Sequence, residues 1–326
     1  MLIRQSNTNI FHTFAWNNLI RETYHLRARL LAAFSPNGIL SAGLPVMERR
    51  SLSGRIKWIS LPYSDHCTPV YSDQHGEDLF LHQLDRFITQ NNDKSIELRS
   101  NYPGINSLQY KEEFVLHTLS LFPDFQQSYQ LIHPSSRRNF RTAMKNHLRL
   151  EINFDLDHLK EFYHLHLLTR HKQGVPIQPW CYFLNLASGV FARNSGFVVS
   201  VYNNSQCLAA AVFLVFNKTI TYKYGASDPA SLHLRPNDLI FHDMIRWGCE
   251  HGYKNLDLGR TYVCNSGLRH FKSCWGAEES KLRYSYAPAI HPGRPAWMMS
   301  SLNRIIRNSP LWVCRLIGEV FYRYAG

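Results

Sequence analysis

Two apolar periods divide the chain into elements: helical spacing in some stretches, alternation or short apolar runs in others. Leu79, Phe80, Leu84, Phe87 and Ile88 recur three and four apart and predict a helix from Glu77 to Gln90. A helix start is read at Thr13-Phe14-Ala15-Trp16-Asn17-Asn18, continuing through Leu19, Ile20 and Tyr24. Strand-like runs at Ala28 to Phe34 and Ile39 to Met47 flank a turn, Ser35-Pro36-Asn37-Gly38, and further strands are read at Ser95 to Arg99 and near Glu113 to Thr118. In the second half, Leu159, Phe162, Tyr163, His166 and Leu167 give a helix over Asp157 to His171, which Gly174 to Trp180 interrupts before helix resumes at Tyr182 to Phe191. Strands then follow at Phe197 to Tyr202, Leu208 to Phe216 and Thr219 to Tyr224, with turns at Asn203-Asn204 and Asn217-Lys218. A helix opens at Arg235-Pro236-Asn237-Asp238, and Asn255-Leu256-Asp257-Leu258-Gly259-Arg260 reads as a short strand.

At 326 residues, 44% of them apolar and 18% charged, the chain is long enough for one large or two ordinary globular domains. The net charge of +12 is concentrated toward the end, where Lys281, Arg283, Arg294, Arg304, Arg307, Arg315 and Arg323 face one acid, Glu319. That balance favours anionic partners: phosphate groups, RNA or an acidic membrane surface. Seven cysteines show no C-x-x-C pair, which predicts buried free thiols in a reducing compartment. Met1-Leu2-Ile3-Arg4-Gln5 does not open a signal peptide and no apolar run reaches membrane-spanning length, so the expected location is cytoplasmic. No His-Glu-x-x-His, Walker loop or Gly-x-Ser-x-Gly elbow is present, and no metal is expected.

The segment from Phe197 to Tyr286 is the most constrained. It runs strand, strand, the turn Tyr224-Gly225-Ala226-Ser227-Asp228, the helix opening at Arg235, the strand ending at Arg260, and then Phe271-Lys272-x-x-Trp275-Gly276-Ala277. This succession resembles the second acyltransferase-like domain of the Fem family of aminoacyl transferases, and their FemAB-related and BioF-like relatives in the GNAT superfamily. The resemblance implies a mixed α/β (α+β) fold of tandem GNAT-like units, each a largely antiparallel sheet flanked by helices, with a basic helical tail. The domains expected are a degenerate, acceptor-side unit over 1–134, an inter-domain helix over 135–150, an active-site unit over 151–290 and the tail over 291–326. The basic stretch Arg137 to Lys145 followed by Leu148-Arg149-Leu150-Glu151-Ile152 is similar to the family's inter-domain segment; by itself it also reads as a solvated helix face.

By the same resemblance, Phe271 and Lys272 lie close to the donor's reacting carbonyl, where an ammonium stabilises an oxyanion or holds a phosphate. The bland alternative makes Phe271 core and Lys272 a surface residue with a snorkelling stem. Arg260, after a glycine, either forks onto an anionic substrate or pairs with Asp257 or Asp228. Tyr224 ends the strand where GNAT proteins splay a pair of neighbouring strands to admit the donor, with Asn237 at the next helix start and Trp275 nearby. That start carries Asp238 and no glycine-rich loop, which sets the chain apart from acetyl-coenzyme A enzymes. Asp65 and His66, in Ser60-Leu61-Pro62-Tyr63-Ser64-Asp65-His66, match a segment that lines the acceptor side in FemAB-related proteins; a turn Asp beside a His also occurs without any role.

The function implied is transfer of an acyl or aminoacyl group to an amine of a cell-envelope or exopolysaccharide precursor. The donor is acetyl-coenzyme A, another acyl-coenzyme A or an aminoacyl-tRNA. The alternatives are an acetyl-coenzyme A-dependent N-acetyltransferase and a catalytically silent scaffold at the membrane. In the tail, Trp312, Val313, Leu316, Ile317, Val320, Phe321 and Tyr324 form one expected helical face. It either lies on an anionic bilayer at the inner face of the membrane or docks onto the protein's own core.

Overall fold

The computed structural model describes residues 8–50, 56–91, 94–288 and 296–325. Thr13 accepts the backbone N–H of Trp16 and starts α1 (Phe14–Tyr24) where the sequence predicts it. After it, β1 (Arg27–Phe34) turns at Gly38 into β2 (Leu40–Arg50), its antiparallel neighbour. β2 pairs in turn with β3 (Ile56–Ile59) and the two-residue β4 (Val70–Tyr71). Asp73 caps α2 (Gln74–Gln90) by accepting from Gly76, which starts the helix three residues before the apolar spacing does. α2 buries Phe80, Leu84 and Ile88 and is the crossover that lays β5 (Ser95–Leu98) parallel to β3. Then β6 (Gln109–Ser120) begins.

The chain divides by contacts into two units, cut after Val115 and again after Ser280. The second unit opens with the end of β6, then α3 (Phe125–Leu131), α4 (Pro134–Lys145) and β7 (Arg149–Asn153). α4 and the start of β7 make up the stretch expected to join two domains, and both lie within this second unit. Next come α5 (Leu156–Gln173), closed by left-handed Gly174, α6 (Trp180–Gly189), and the meander β8 (Gly196–Asn203), β9 (Gln206–Phe216) and β10 (Thr219–Ser227). Then α7 (Pro236–Glu250), β11 (Asn255–Tyr262), α8 (Ser266–Ser273) and β12 (Glu278–Ala287) follow. The second half of β12 belongs to the first unit and runs antiparallel to β5. α9 (Ala296–Asn308) and α10 (Leu311–Ala325) belong to the second. The expected tail boundary at 290/291 lies outside the described residues.

In the second unit the strands follow the order β6-β11-β10-β9-β8-β7. β7 through β10 are antiparallel in succession, whereas β10 and β11 are parallel, joined through α7. β9 is an apolar run because both of its faces are covered. One face, with Val199, Ala211 and Phe213, packs with Leu239, Phe241, Met244 and Ile245 of α7. The alternate residues Val198, Val212 and Leu214 are equally buried, and α5 lies against the same strands. The seven cysteines are unpaired thiols; Cys67, Cys249, Cys274 and Cys314 are buried as expected, but Cys181 and Cys264 are exposed.

A candidate active site between diverging strands

β10 and β11 pair only through Thr219–Thr221 and Asn255–Asp257, although both strands run on for several residues. Beyond that point β10 stays with β9 as far as Ser227, opposite Ala209. The register of β10 on β9 shifts between Tyr222 and Tyr224, so Lys223 is the extra residue of a bulge. A bulge bends a strand and increases its twist, and this one sits where the parallel ladder ends. The neighbouring strands part after Thr221, and β10 does not end at Tyr224 as expected but runs on through the predicted turn to Ser227.

On the β11 side the backbone is shaped by Gly259. Asp257 Oδ1 accepts the Gly259 N–H at 2.8 Å, and Gly259 takes φ 71°, a conformation that residues with a Cβ adopt only with strain. The turned carbonyl meets Lys272 of α8, whose Nζ donates to Gly259 O at 2.8 Å and Arg260 O at 3.3 Å. Lys272 is 5% exposed, so it is not the surface residue of the bland reading. α8 is pinned by Arg269, which donates from Nε and Nη2 to the two Glu279 oxygens of β12, each at 2.8 Å. Beside Lys272, Phe271 meets Phe241 edge-on at 5.3 Å between ring centroids, and Trp275 stacks on the same Phe241 at 5.4 Å. Trp275 is 1% exposed and part of the core, so it is a packing residue and not the substrate contact expected of it.

The β10 side ends differently. Asn237, at the start of α7, donates to Ser227 Oγ at 3.3 Å and ties the helix to the strand's last residue. The Tyr224 hydroxyl donates to that of Tyr182 at 3.1 Å, which draws its ring into a cluster with Phe162, His166 and Phe183. Asp238 is buried at the first turn of α7 and accepts from Asn139 of α4 at 3.3 Å; burial raises its carboxyl above the ordinary value. The helix start thus carries a buried carboxyl group, already bonded to Asn139, and no glycine-rich loop. Asp257 and Asp228, both considered as partners of Arg260, cap Gly259 and the turn at Pro229–Leu234 respectively.

His117 was not singled out by the sequence. It lies on β6, fully buried, with Nε2 3.3 Å from Glu279 Oε2 and the Gly259 backbone beside it. Burial, then the neighbouring Lys272 charge, pushes its pKa below the ordinary histidine value. The signal available was a lone histidine in the alternating run Phe114-Val115-Leu116-His117-Thr118, which does not stand out from core packing.

Asp65 and His66 belong to the first unit. Leu61 and Tyr63, in the segment leading to them, have φ of 53° and 67°, left-handed values that are uncommon for bulky side chains. The segment is held in that shape from several sides. Ser60 Oγ accepts from Arg99 N at 2.6 Å, Ser64 Oγ donates to Leu61 O at 2.5 Å, and Arg99 Nη1 donates to Ser64 O at 2.5 Å. Tyr284 donates to the Asp65 carbonyl. Burial opposes ionisation of Glu97, but Arg99 and Lys57 together outweigh it and hold the carboxyl at about 2. Asn9 Oδ1 accepts from Phe11 N, which fixes its amide with Nδ2 as the donor toward His66 Nδ1 at 3.2 Å. The neutral His66 ring accordingly carries its proton on Nε2.

Residues 134–278 match the family described as acetyltransferase (GNAT) domain. No curated protein matches the chain by sequence. Among solved structures the fold is similar to that of FemX, at TM-score 0.71 and 14% identity over 94% of this chain and 97% of that one. It is also similar to the C-terminal domain of a putative lysylphosphatidylglycerol synthetase from Agrobacterium fabrum, at TM-score 0.58 and 14% identity over 94% and 96% of the two chains. L-PGS from Bacillus licheniformis gives 0.53 and 11% over 90% and 97%. Residues 134–278 thus match the model of a GNAT acetyltransferase domain, and the chain shares the mixed α/β fold of FemX.

Proposed function

We propose that the second unit transfers an acyl or aminoacyl group to an amine of a cell-envelope or exopolysaccharide precursor, working in the cytoplasm or at the inner face of the membrane. The observation that carries this reading is the divergence of β10 from β11 after Thr221 and Asp257, with the buried Lys272 ammonium at the end of β11. In the reaction, the acceptor nitrogen attacks the donor carbonyl carbon. The new C–N bond forms as the C–O bond of an aminoacyl ester, or the C–S bond of a thioester, breaks; the amine's proton passes to a base and the leaving group is reprotonated. Lys272 faces the negative charge that develops on the carbonyl oxygen. Phe271 and Tyr224 border the cleft, and Arg260 and the α7 start at Asn237 take an anionic portion of a substrate. Asp65 and His66 are the first unit's candidates for the acceptor side, and the substrate itself can also take the amine's proton.

Asp238 in place of a glycine-rich loop at the α7 start counts against coenzyme A bound in the ordinary mode. The name of the putative lysylphosphatidylglycerol synthetase, a lysine attached to a lipid, supports an aminoacyl group and a lipid acceptor. The second reading, an acetyl-coenzyme A-dependent N-acetyltransferase, is favoured by the description of the matching family. Incubation with radiolabelled aminoacyl-tRNA or acetyl-coenzyme A, and lipid-linked precursors extracted from membranes as acceptor, separates the two. The expected result is label transferred from the aminoacyl-tRNA, reduced at least ~100-fold by Lys272→Met. Transfer from acetyl-coenzyme A alone would establish the second reading, and an undiminished rate in the Lys272 variant would remove the role assigned to that residue.

A further inference from the structure

α10 has two apolar sides, and they do different things. Cys314, Gly318 and Tyr322, four residues apart, face the protein. Cys314 Sγ donates to Val175 O at 3.6 Å and Tyr322 donates to Pro176 O at 3.3 Å. A Cβ on Gly318 would stand 2.0 Å from Ile177 O, so only glycine allows this approach. Arg170 donates to the Tyr322 hydroxyl at 3.0 Å, and His171 Nε2 lies 2.6 Å from Ser309 O. The helix is thereby fixed in rotation against the end of α5 and the segment that follows it. Trp312, Leu316 and Val320 point away from that contact and are 62%, 52% and 63% exposed. Ile305 and Arg304 of α9 and Arg315 of α10 are exposed as well, whereas Arg307 donates to Gln173 O at 3.0 Å on the docked side. The expectation of one apolar face is corrected for Trp312, Leu316 and Val320, which stay outside while Cys314, Gly318 and Tyr322 dock; Tyr324 lies outside the residues whose side chains are described.

We infer that this stripe is the contact of the protein with an anionic lipid bilayer, on which α10 lies flat with Trp312, Leu316 and Val320 at the headgroup–acyl boundary. An indole favours that boundary, and arginines beside it meet the phosphates. The docked side keeps the helix from leaving the protein, and no helix among the described residues is long and apolar enough to cross a membrane. Charge decides between occupants. A second copy would bring the same arginine-lined stripe against itself in a chain of net charge +12, whereas acidic headgroups complement it. The one acid in α10, Glu319, lies 3.7 Å from Arg315.

The experiment is flotation of the full chain with vesicles of phosphatidylcholine alone or of phosphatidylcholine and phosphatidylglycerol in equal amounts. Binding is expected only to the anionic vesicles, weakening as salt rises, and falling about tenfold or more in Trp312→Glu/Leu316→Glu. Arg304→Gln/Arg315→Gln is expected to weaken it by a similar factor without altering the apolar stripe. Circular dichroism of these surface variants should match the parent. No flotation with anionic vesicles overturns the proposal, as does undiminished flotation of the Trp312/Leu316 variant. A parent that is dimeric by light scattering beside a monomeric variant overturns it in favour of a second copy. Lys272→Met should float like the parent, so failure of the transfer chemistry leaves this result readable.

Discussion

Arg99 shows how much one side chain can organise. It faces Glu97 at 3.3 Å, holds the Ser64 carbonyl, and lies over the Tyr284 ring at 5.7 Å. Glu97 is therefore ionised inside the protein down to about 2, although burial alone would work against it. A carboxyl held below its unfolded value stabilises the fold above that value, ordinarily about 4.5, and the contribution fades as pH falls from there toward 2. Arg99→Met leaves Glu97 with Lys57 alone and should destabilise the first unit by about 3 kcal/mol in urea at neutral pH. The acid transition of the variant should move to higher pH. An unchanged urea midpoint and acid transition would mean that Lys57 suffices.

At the scale of elements, the shape of the cleft depends on the end of β11. Gly259→Ala places a Cβ at φ 71° and should lower stability by about 1–2 kcal/mol on thermal melting. It should also disturb the carbonyl that receives Lys272, so transfer should fall further than the loss of folded protein accounts for; parallel losses would separate the glycine from the chemistry. α1, α5 and the strands from β8 to β10 were legible because caps, apolar spacing and turn residues agree there. α8 was not, since eight residues with Arg269, His270 and Lys272 show too little of a period to read. The divergence of β10 from β11 is a matter of register, which resemblance suggested and periodicity does not encode. The docking face of α10 escaped notice because Cys314 and Gly318 look weak beside Trp312 and Leu316, yet small residues are what let a helix approach backbone closely.

For the whole molecule, the basic end of the chain is integral to the second unit. Deleting 296–326 removes the partners of Arg170, His171, Val175 and Pro176. Hydrogen exchange is then expected to quicken at the end of α5 and over 174–178, with β1 to β3 of the first unit unchanged. Uniformly faster exchange in both units would show that the tail supports the entire chain. The likeness of residues 134–278 to a GNAT domain was legible in the order of their elements and in the Phe271-Lys272 and Trp275 pattern. Donor and acceptor leave no comparable imprint, because the Fem-type fold is shared by proteins only 11–14% identical to this one.

Leu61 and Tyr63 each sit in a backbone state that costs of order 1–3 kcal/mol, and the fasteners that keep them there come from Arg99 and Tyr284, outside the loop. A rim clamped in this way needs no ligand to give it form. An acceptor lodged beside Asp65, as proposed, would meet a finished mould, and its capture would cost little ordering entropy.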